Sequence, residues 1–196
     1  MKILQISDTH NRHQQLINLP GADVIVHCGD FTDMGTEDEV LEFLNWFIEL
    51  PYPHKIFVTG NHDLCLWEAD DIEGLPDSVH FLQDRGCEIG GIKFFGLGYN
   101  HPESLIPYNV DVLVTHEPPA MILDESSNTH WATCRFATKY WKSNHAIICL
   151  VMLMKTTAQK IGTGLFSQTD HLLTTLIQWS VSPSYLCTNN TSVISS

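Results

Sequence analysis

Residues 54–63 read HKIFVTGNHD, and this stretch decides the fold. Its first half is a run of apolar and β-branched residues, with Pro51 and Pro53 before it and Gly60 after, the pattern of a strand buried on both faces. Its second half stops the strand and delivers an amide, an imidazole and a carboxylate in three consecutive positions. Ligand sites of α/β sheets lie at the carboxyl ends of strands, so a buried strand that ends this way predicts such a sheet.

Working outward, the same device recurs. KILQIS runs into Asp8 and His10, ADVIVHCGD ends on Gly29-Asp30, and DVLVTHEPP carries His116 before a proline pair stops it. TEDEVLEFLNWFIEL predicts a helix: Thr36 and Glu39 form a capping box, acids crowd the first turn, and Val40, Phe43, Leu44 and Phe47 make one apolar stripe. SVHFLQ and CEIGGIKFFGLG predict strands, the latter a hairpin turning at Gly90-Gly91. Strand and helix alternating, with a hairpin inserted later, predict an α/β sandwich of two mixed β-sheets flanked by helices.

Bulk properties narrow the function. A chain of 196 residues can bury one sizeable core. With 23 acidic against 10 basic residues and a net charge of −13, non-specific binding to nucleic acid or anionic membrane is disfavoured. A phosphate-bearing substrate stays compatible, because bound metal ions would dominate the local field. The six cysteines show no CxxC pairing, which predicts free thiols in a reduced, cytoplasmic setting. The longest apolar run falls far short of the ~20 residues of a membrane helix, and MKILQISDTH does not read as a leader. Oligomeric state is not legible.

The strand-end clusters carry the chemistry. Asp8 and His10 are two apart, so both can turn toward one ion. Asp30 follows a glycine and can bridge two ions, Asn61 offers an amide oxygen, and His116 an imidazole. Mixed nitrogen and oxygen ligation suits Mn, Fe, Zn or Co better than Mg or Ca. Two divalent ions about 4 Å apart would polarise a phosphoryl group and lower the pKa of a water.

The order D-x-H, G-D, G-N-H-D and then a strand-borne histidine resembles the calcineurin-like metallophosphoesterases over roughly residues 1–131. HCGDFTDMG and THEPP further resemble their compact branch, which includes metallophosphoesterase-domain-containing proteins and class III cyclic nucleotide phosphodiesterases. The resemblance implies a phosphomonoesterase or phosphodiesterase acting on a small phosphoester through metal-bound hydroxide at a dinuclear centre. Asp8 and His10 would hold the first metal, Asp30 would bridge, and Asn61 and His116 would hold the second. His62 would protonate the leaving group, oriented by Asp63.

Other residues receive quieter readings. Asp33, His27 and Cys28 are expected in supporting roles, and His13, His54, His80 and His101 at the surface. The acidic stretch 68–73 reads as a solvated loop. Trp67 and Tyr99 could line a substrate pocket, though core packing is the favoured reading for both.

The family pattern ends in G-H-x-H on a strand, and no GHxH exists in this sequence. Composition also breaks near Trp131. Up to that residue there are 22 acidic and 5 basic residues, and from Ala132 onward 1 acidic and 5 basic. When each codon's third base is read with the first two of the next, Asn144–Leu172, which includes AIICLVMLM, admits PRYHLFGHAHENYGTENRDGVIFSNGSL. Trp131–Asn144 likewise admits GDLPLRNKVLEIK, an amphipathic helix. A tryptophan codon before an alanine codon places three Gs in a row, and loss of one G from a run of four would displace the frame there. The expectation is therefore a metallophosphoesterase domain at 1–131 and an out-of-frame, non-native or incomplete tail at 132–196 that leaves a sheet edge open. Two functions follow: a metal-dependent phosphoester hydrolase, or a catalytically impaired product with at most weak metal binding.

Overall fold

Strands β1 (Lys2–Ser7), β2 (Val24–His27) and β3 (His54–Phe57) form on the apolar runs, and the short β4 (Val79–Phe81) joins them. They lie parallel in chain order, with Ile6 opposite His27, His27 opposite Phe57 and Phe57 opposite Phe81. Their carboxyl ends therefore share one level, from which the polar clusters emerge. This architecture comes from a computed structural model that describes residues 1–117 and the short strand segments 125–126, 129–130, 146–149, 173–178 and 191–192.

The second sheet is built around β5 (Arg85–Ile89) and β6 (Ile92–Gly96), an antiparallel hairpin. Gly90 and Gly91 both have positive φ, 57° and 79°, as a two-residue turn matched to strand twist requires. β7 (Val112–Thr115) then lies parallel to β6. Alternate side chains of the strands face opposite ways. Ile3, Val24, Val26 and Ile56 meet Ile92, Phe94, Val112 and Val114 between the sheets. Leu4, Ile6, Ile25 and Phe57 pack on the other side against helix α1 (Glu37–Glu49), through Val40, Phe43 and Phe47. The Thr36–Glu39 capping box starts α1. Phe43 stacks on Phe31 at 4.1 Å and on Phe47 at 5.0 Å, which fixes the helix over the sheet. The α/β sandwich of mixed sheets read from the sequence is thus the observed fold.

Beyond residue 117, β10 (Ala146–Cys149) adds parallel to β7, and β11 (Leu173–Gln178) adds antiparallel to β1, with β12 (Thr191–Ser192) outside it. β8 (Glu125–Ser126) and β9 (Thr129–His130) pair only with each other. Where the tail was expected to leave a sheet edge open, β1 and β7 each have a neighbour from it, because backbone pairing asks only for extended, β-branched or apolar segments such as AIIC and LTTLIQ. The boundary proposed at 131/132 lies outside the described residues.

Several histidines depart from the surface expectation. His13 is fully buried, because its short turn folds back on α1 and sets its ring 4.9 Å from Trp46 and 5.8 Å from Phe43. Neither of its ring nitrogens has a hydrogen-bond partner among the described residues. His54 and His80 are half-buried with their rings 6.2 Å apart, and half-buried His101 bonds Asp84. The acids of 68–73 are exposed as expected, although Arg85 reaches Asp71 at 3.2 Å.

Burial lowers the pKa of His13 and, far more, that of His27. A lowered folded-state value means that the stability each contributes is complete above the ordinary 6.5 and is lost as pH falls toward the folded value. His13→Phe removes one such group. Urea denaturation at pH 7.5 and 5.5 should show the variant gaining stability relative to the parent at the lower pH. An unchanged difference would mean that His13 does not resist protonation.

Candidate metal centre

Each polar cluster turns off its strand at once, and the backbone shows how. Asp8, His10, Gly29 and Asp30 all adopt positive φ, at 53°, 39°, 94° and 55°. Aspartate tolerates this region better than most residues. The two loops are then laced by backbone bonds from Asp8 N–H to the Gly29 carbonyl, from His10 N–H to that of Asp30, and from Asn11 N–H to that of Phe31. A Cβ on Gly29 would stand 2.6 Å from the Gly60 nitrogen, and one on Gly60 would fall onto the Asp30 carboxylate. Only glycine lets the GD and GN turns approach this closely.

The turns bring Asp8, His10, Asp30, Asn61, His62 and His116 together. Asp30 is central and buried. One of its oxygens lies 3.8 Å from His10 Nε2, and the other lies 3.5 Å from His116 Nε2. Asn61 Oδ1 is 3.1 Å from His116 Nε2. Two triads, His10–Asp30–His62 and Asp8–Asp30–His116, each place their ligand atoms within 4.8 Å of one another, and Asp30 belongs to both. His62 joins the first triad, a ligand position the motif order did not suggest; its ring meets that of His10 edge-on at 4.6 Å.

The second ring nitrogen of each histidine is engaged. Nδ1 of His116, His10 and His62 meets the carbonyls of Cys28, Thr32 and Asp33 at 2.8, 3.2 and 2.6 Å. This leaves Nε2 of His10 and His116 facing the Asp30 carboxylate, the orientation metal-ligating histidines need. Cys28 and Asp33 thus support the site through backbone oxygens, and buried His27 does so by meeting the Thr9 hydroxyl at 3.0 Å.

Charge tests the fit of a metal. Asp8, Asp30 and Asp63 are all buried, and no lysine or arginine pairs with them among the described residues. Burial raises the Asp8 pKa, and it pushes Asp63 up to about 6 against the opposing pull of the Gly60 and Thr32 N–H groups. Burial alone would keep His116 neutral, but the facing carboxylates of Asp30 and Asp8 outweigh it and raise its pKa. Buried Asp8 and Asp30 facing imidazole nitrogens, with buried Asp63 beneath them and no lysine or arginine paired with the three among the described residues, make a place short of positive charge, and divalent cations fit it.

Two expectations need correction. The Asp63 carboxylate makes no direct bond to the His62 ring among the described residues. It accepts from the N–H groups of Asp30, Thr32 and Gly60 and from the Thr32 hydroxyl, while the Asp33 carbonyl holds the ring. Adjacent residues in a tight turn point apart, so sequence adjacency was misleading here. Trp67 and Tyr99 are not core residues. Both are half-buried, 5.4 Å apart, with Tyr99 6.1 Å from His116 and the Trp67 indole N–H donating to the Gly60 carbonyl at 3.0 Å. They wall the centre, and Trp67 also lines a cleft of about 410 Å³ with Gln83, Asp84 and His101. Thr32 was missed, since nothing in GDFTD separates a buried hydroxyl from a surface one.

β10 ends at Cys149, opposite Thr115, one residue short of the level of His116. The sequence that follows, Leu150-Val151-Met152-Leu153, holds no ligand side chain.

Comparison with known proteins finds related sequences. The sequence model of the calcineurin-like phosphoesterase family matches residues 1–149. The chain is 32% identical over 166 residues to a UPF0046 protein of Caenorhabditis elegans, covering 69% of this chain and 57% of that protein. It is 31% identical over 160 residues to metallophosphoesterase domain-containing protein 1 of Homo sapiens, covering 61% of this chain and 49% of the relative. The chain thus spans about half the length of the curated relatives it matches.

Because burial raises the Asp8 pKa and no lysine or arginine pairs with it among the described residues, Asp8→Asn should raise the melting temperature of the chain in a chelator. The same change should shrink the rise that MnCl2 produces in the parent. A variant that melts lower than the parent in the chelator would show that Asp8 is not under electrostatic strain.

Proposed function

The chain belongs to the calcineurin-like phosphoesterase family, and on that premise we propose that it is a metal-dependent phosphoester hydrolase with a dinuclear centre. The observation that carries the dinuclear reading is the place of Asp30 in both ligand triads, with its two oxygens turned to different histidines. By family resemblance Asp8, His10 and Asp30 would hold one ion, and Asp30, Asn61 and His116 the other, whereas the observed grouping sets Asp8 with His116 and His62 with His10. Mn, Fe, Zn or Co suits these donors. When bound, such ions supply Lewis acidity to the phosphoryl group and to the attacking water.

The chain's own groups do the rest. His62 keeps one proton on Nδ1 against the Asp33 carbonyl, so it serves as an acid by carrying a second proton on Nε2. Handing that proton to the leaving oxygen returns the ring to neutrality. The wall formed by Trp67 and Tyr99 would exclude water from one side and rest against the alcohol portion of a small phosphoester. We place the protein in the cytoplasm without nucleic-acid or membrane partners; among the described residues no helix is long and apolar enough to cross a membrane.

A second reading rests on the missing GHxH. If residues 132–196 are displaced-frame translation, each ion lacks one histidine, and the chain is an impaired product that binds metal weakly. The charge break near Trp131 and relatives that cover only 61–69% of the chain favour it.

Hydrolysis of bis-p-nitrophenyl phosphate and p-nitrophenyl phosphate with Mn²⁺ tests both readings, with this chain run beside a version restored by one base near codon 132. Turnover by the restored protein alone supports the hydrolase assignment and the displaced frame; equal turnover removes the second reading, and none by either sinks the first. In whichever chain is active, His62→Ala should lower the rate by about 10²–10⁴-fold.

A further inference from the structure

His10, His62 and His116 come from three different strand ends, yet one short turn holds all three rings. The carbonyls that meet their Nδ1 atoms are those of Thr32, Asp33 and Cys28, all within residues 28–33. A carbonyl only accepts, so each ring must carry a proton on Nδ1. The turn therefore fixes the Nδ1 proton of all three histidines.

Gly29 and Asp30 of this turn are both in the left-handed region. Its carbonyls at 29–31 take the N–H groups of Asp8, His10 and Asn11, while its N–H groups at Asp30 and Thr32 converge on one buried side chain. Asp63 Oδ2 accepts the N–H of Asp30 at 2.8 Å and that of Gly60 at 2.7 Å, while Oδ1 accepts the Thr32 N–H at 3.0 Å and the Thr32 hydroxyl at 2.8 Å. The Thr32 hydroxyl also lies 2.9 Å from the His62 carbonyl, which ties the turn to the GNHD loop. Four charge-assisted bonds onto one carboxylate in a dry site are a strong constraint.

We propose that Asp63, with Thr32 as its partner, is the positioning residue of the centre: it shapes the turn 28–33 and so holds the Nδ1 protons of His10, His62 and His116 against its carbonyls together, without touching any of the three rings. This deepens the hydrolase reading but stands apart from it, because the Nδ1–carbonyl bonds belong to the chain itself.

Long-range ¹H–¹⁵N spectra of the histidine rings in the metal-free chain provide the test. In the parent, all three rings should show a protonated Nδ1. Asp63→Asn should weaken that signal in the three together, while His13, which packs on α1, stays unchanged as an internal control. Thr32→Val should produce a smaller shift of the same three rings, and Thr32→Ser should restore the parent spectrum. If Asp63→Asn does not fold, the valine and serine variants decide the matter alone. Rings unchanged in Thr32→Val, or a change confined to His62, would overturn the proposal. Turnover is not needed, so failure of the hydrolase reading would be seen separately.

Discussion

Asp30 stands where two strand-end turns cross. Its carboxylate takes the His62 backbone N–H at 2.8 Å, and its own N–H goes to Asp63 at 2.8 Å. Each turn thus satisfies a buried donor of the other, and neither can relax without orphaning a polar group, at a cost of about 1–3 kcal/mol for each one left unpaired. The close approach of Gly29 and Gly60 follows from this crossing, as does the placement of the histidines. The rest of the sandwich serves to deliver these turns to one level at the carboxyl ends of parallel strands.

The crossing concentrates negative charge in a dry place. Asp8, Asp30 and Asp63 would not be buried together in a chain selected for stability alone. The aromatic packing of Phe31, Phe43, Phe47 and Phe57 against α1 supplies apolar burial that offsets part of this strain, directly beneath the site. The same electrostatic shortfall that weakens the metal-free fold is what a divalent cation would relieve, so stability and metal binding are coupled here through the same carboxylates.

Much of this was legible in the sequence, and for a physical reason. Runs such as ADVIVHCGD and DVLVTHEPP are buried on both faces, and their composition marks them as parallel strands without any tertiary information. The capping box at Thr36 and the glycine pair at 90–91 are local signals that tertiary context did not override. Asp8, His10, Asp30, Asn61 and His116 could be picked out because ligand sites follow strand ends. Illegible were the residues whose roles depend on direction. Asp63 follows His62 yet points beneath the turn, Thr32 looks like any loop threonine, and His13 looks exposed until its turn folds onto Trp46.

The stretch after Trp131 shows the limit from the other side. Its short apolar runs pair as strands beside β7 and β1, since strand addition needs extended backbone and little else. Chemistry is more demanding, and Leu150 to Leu153 hold no ligand side chain. Sequence alone determined the class of fold, the order of the strand-end ligands and the want of a final histidine pair, because these depend on periodicity and side-chain chemistry that are written locally. Only the tertiary structure decided which carbonyl holds each ring and which acid lies underneath, because hydrogen bonds between residues 28–33 and 60–63 exist only once separate strands have been brought side by side.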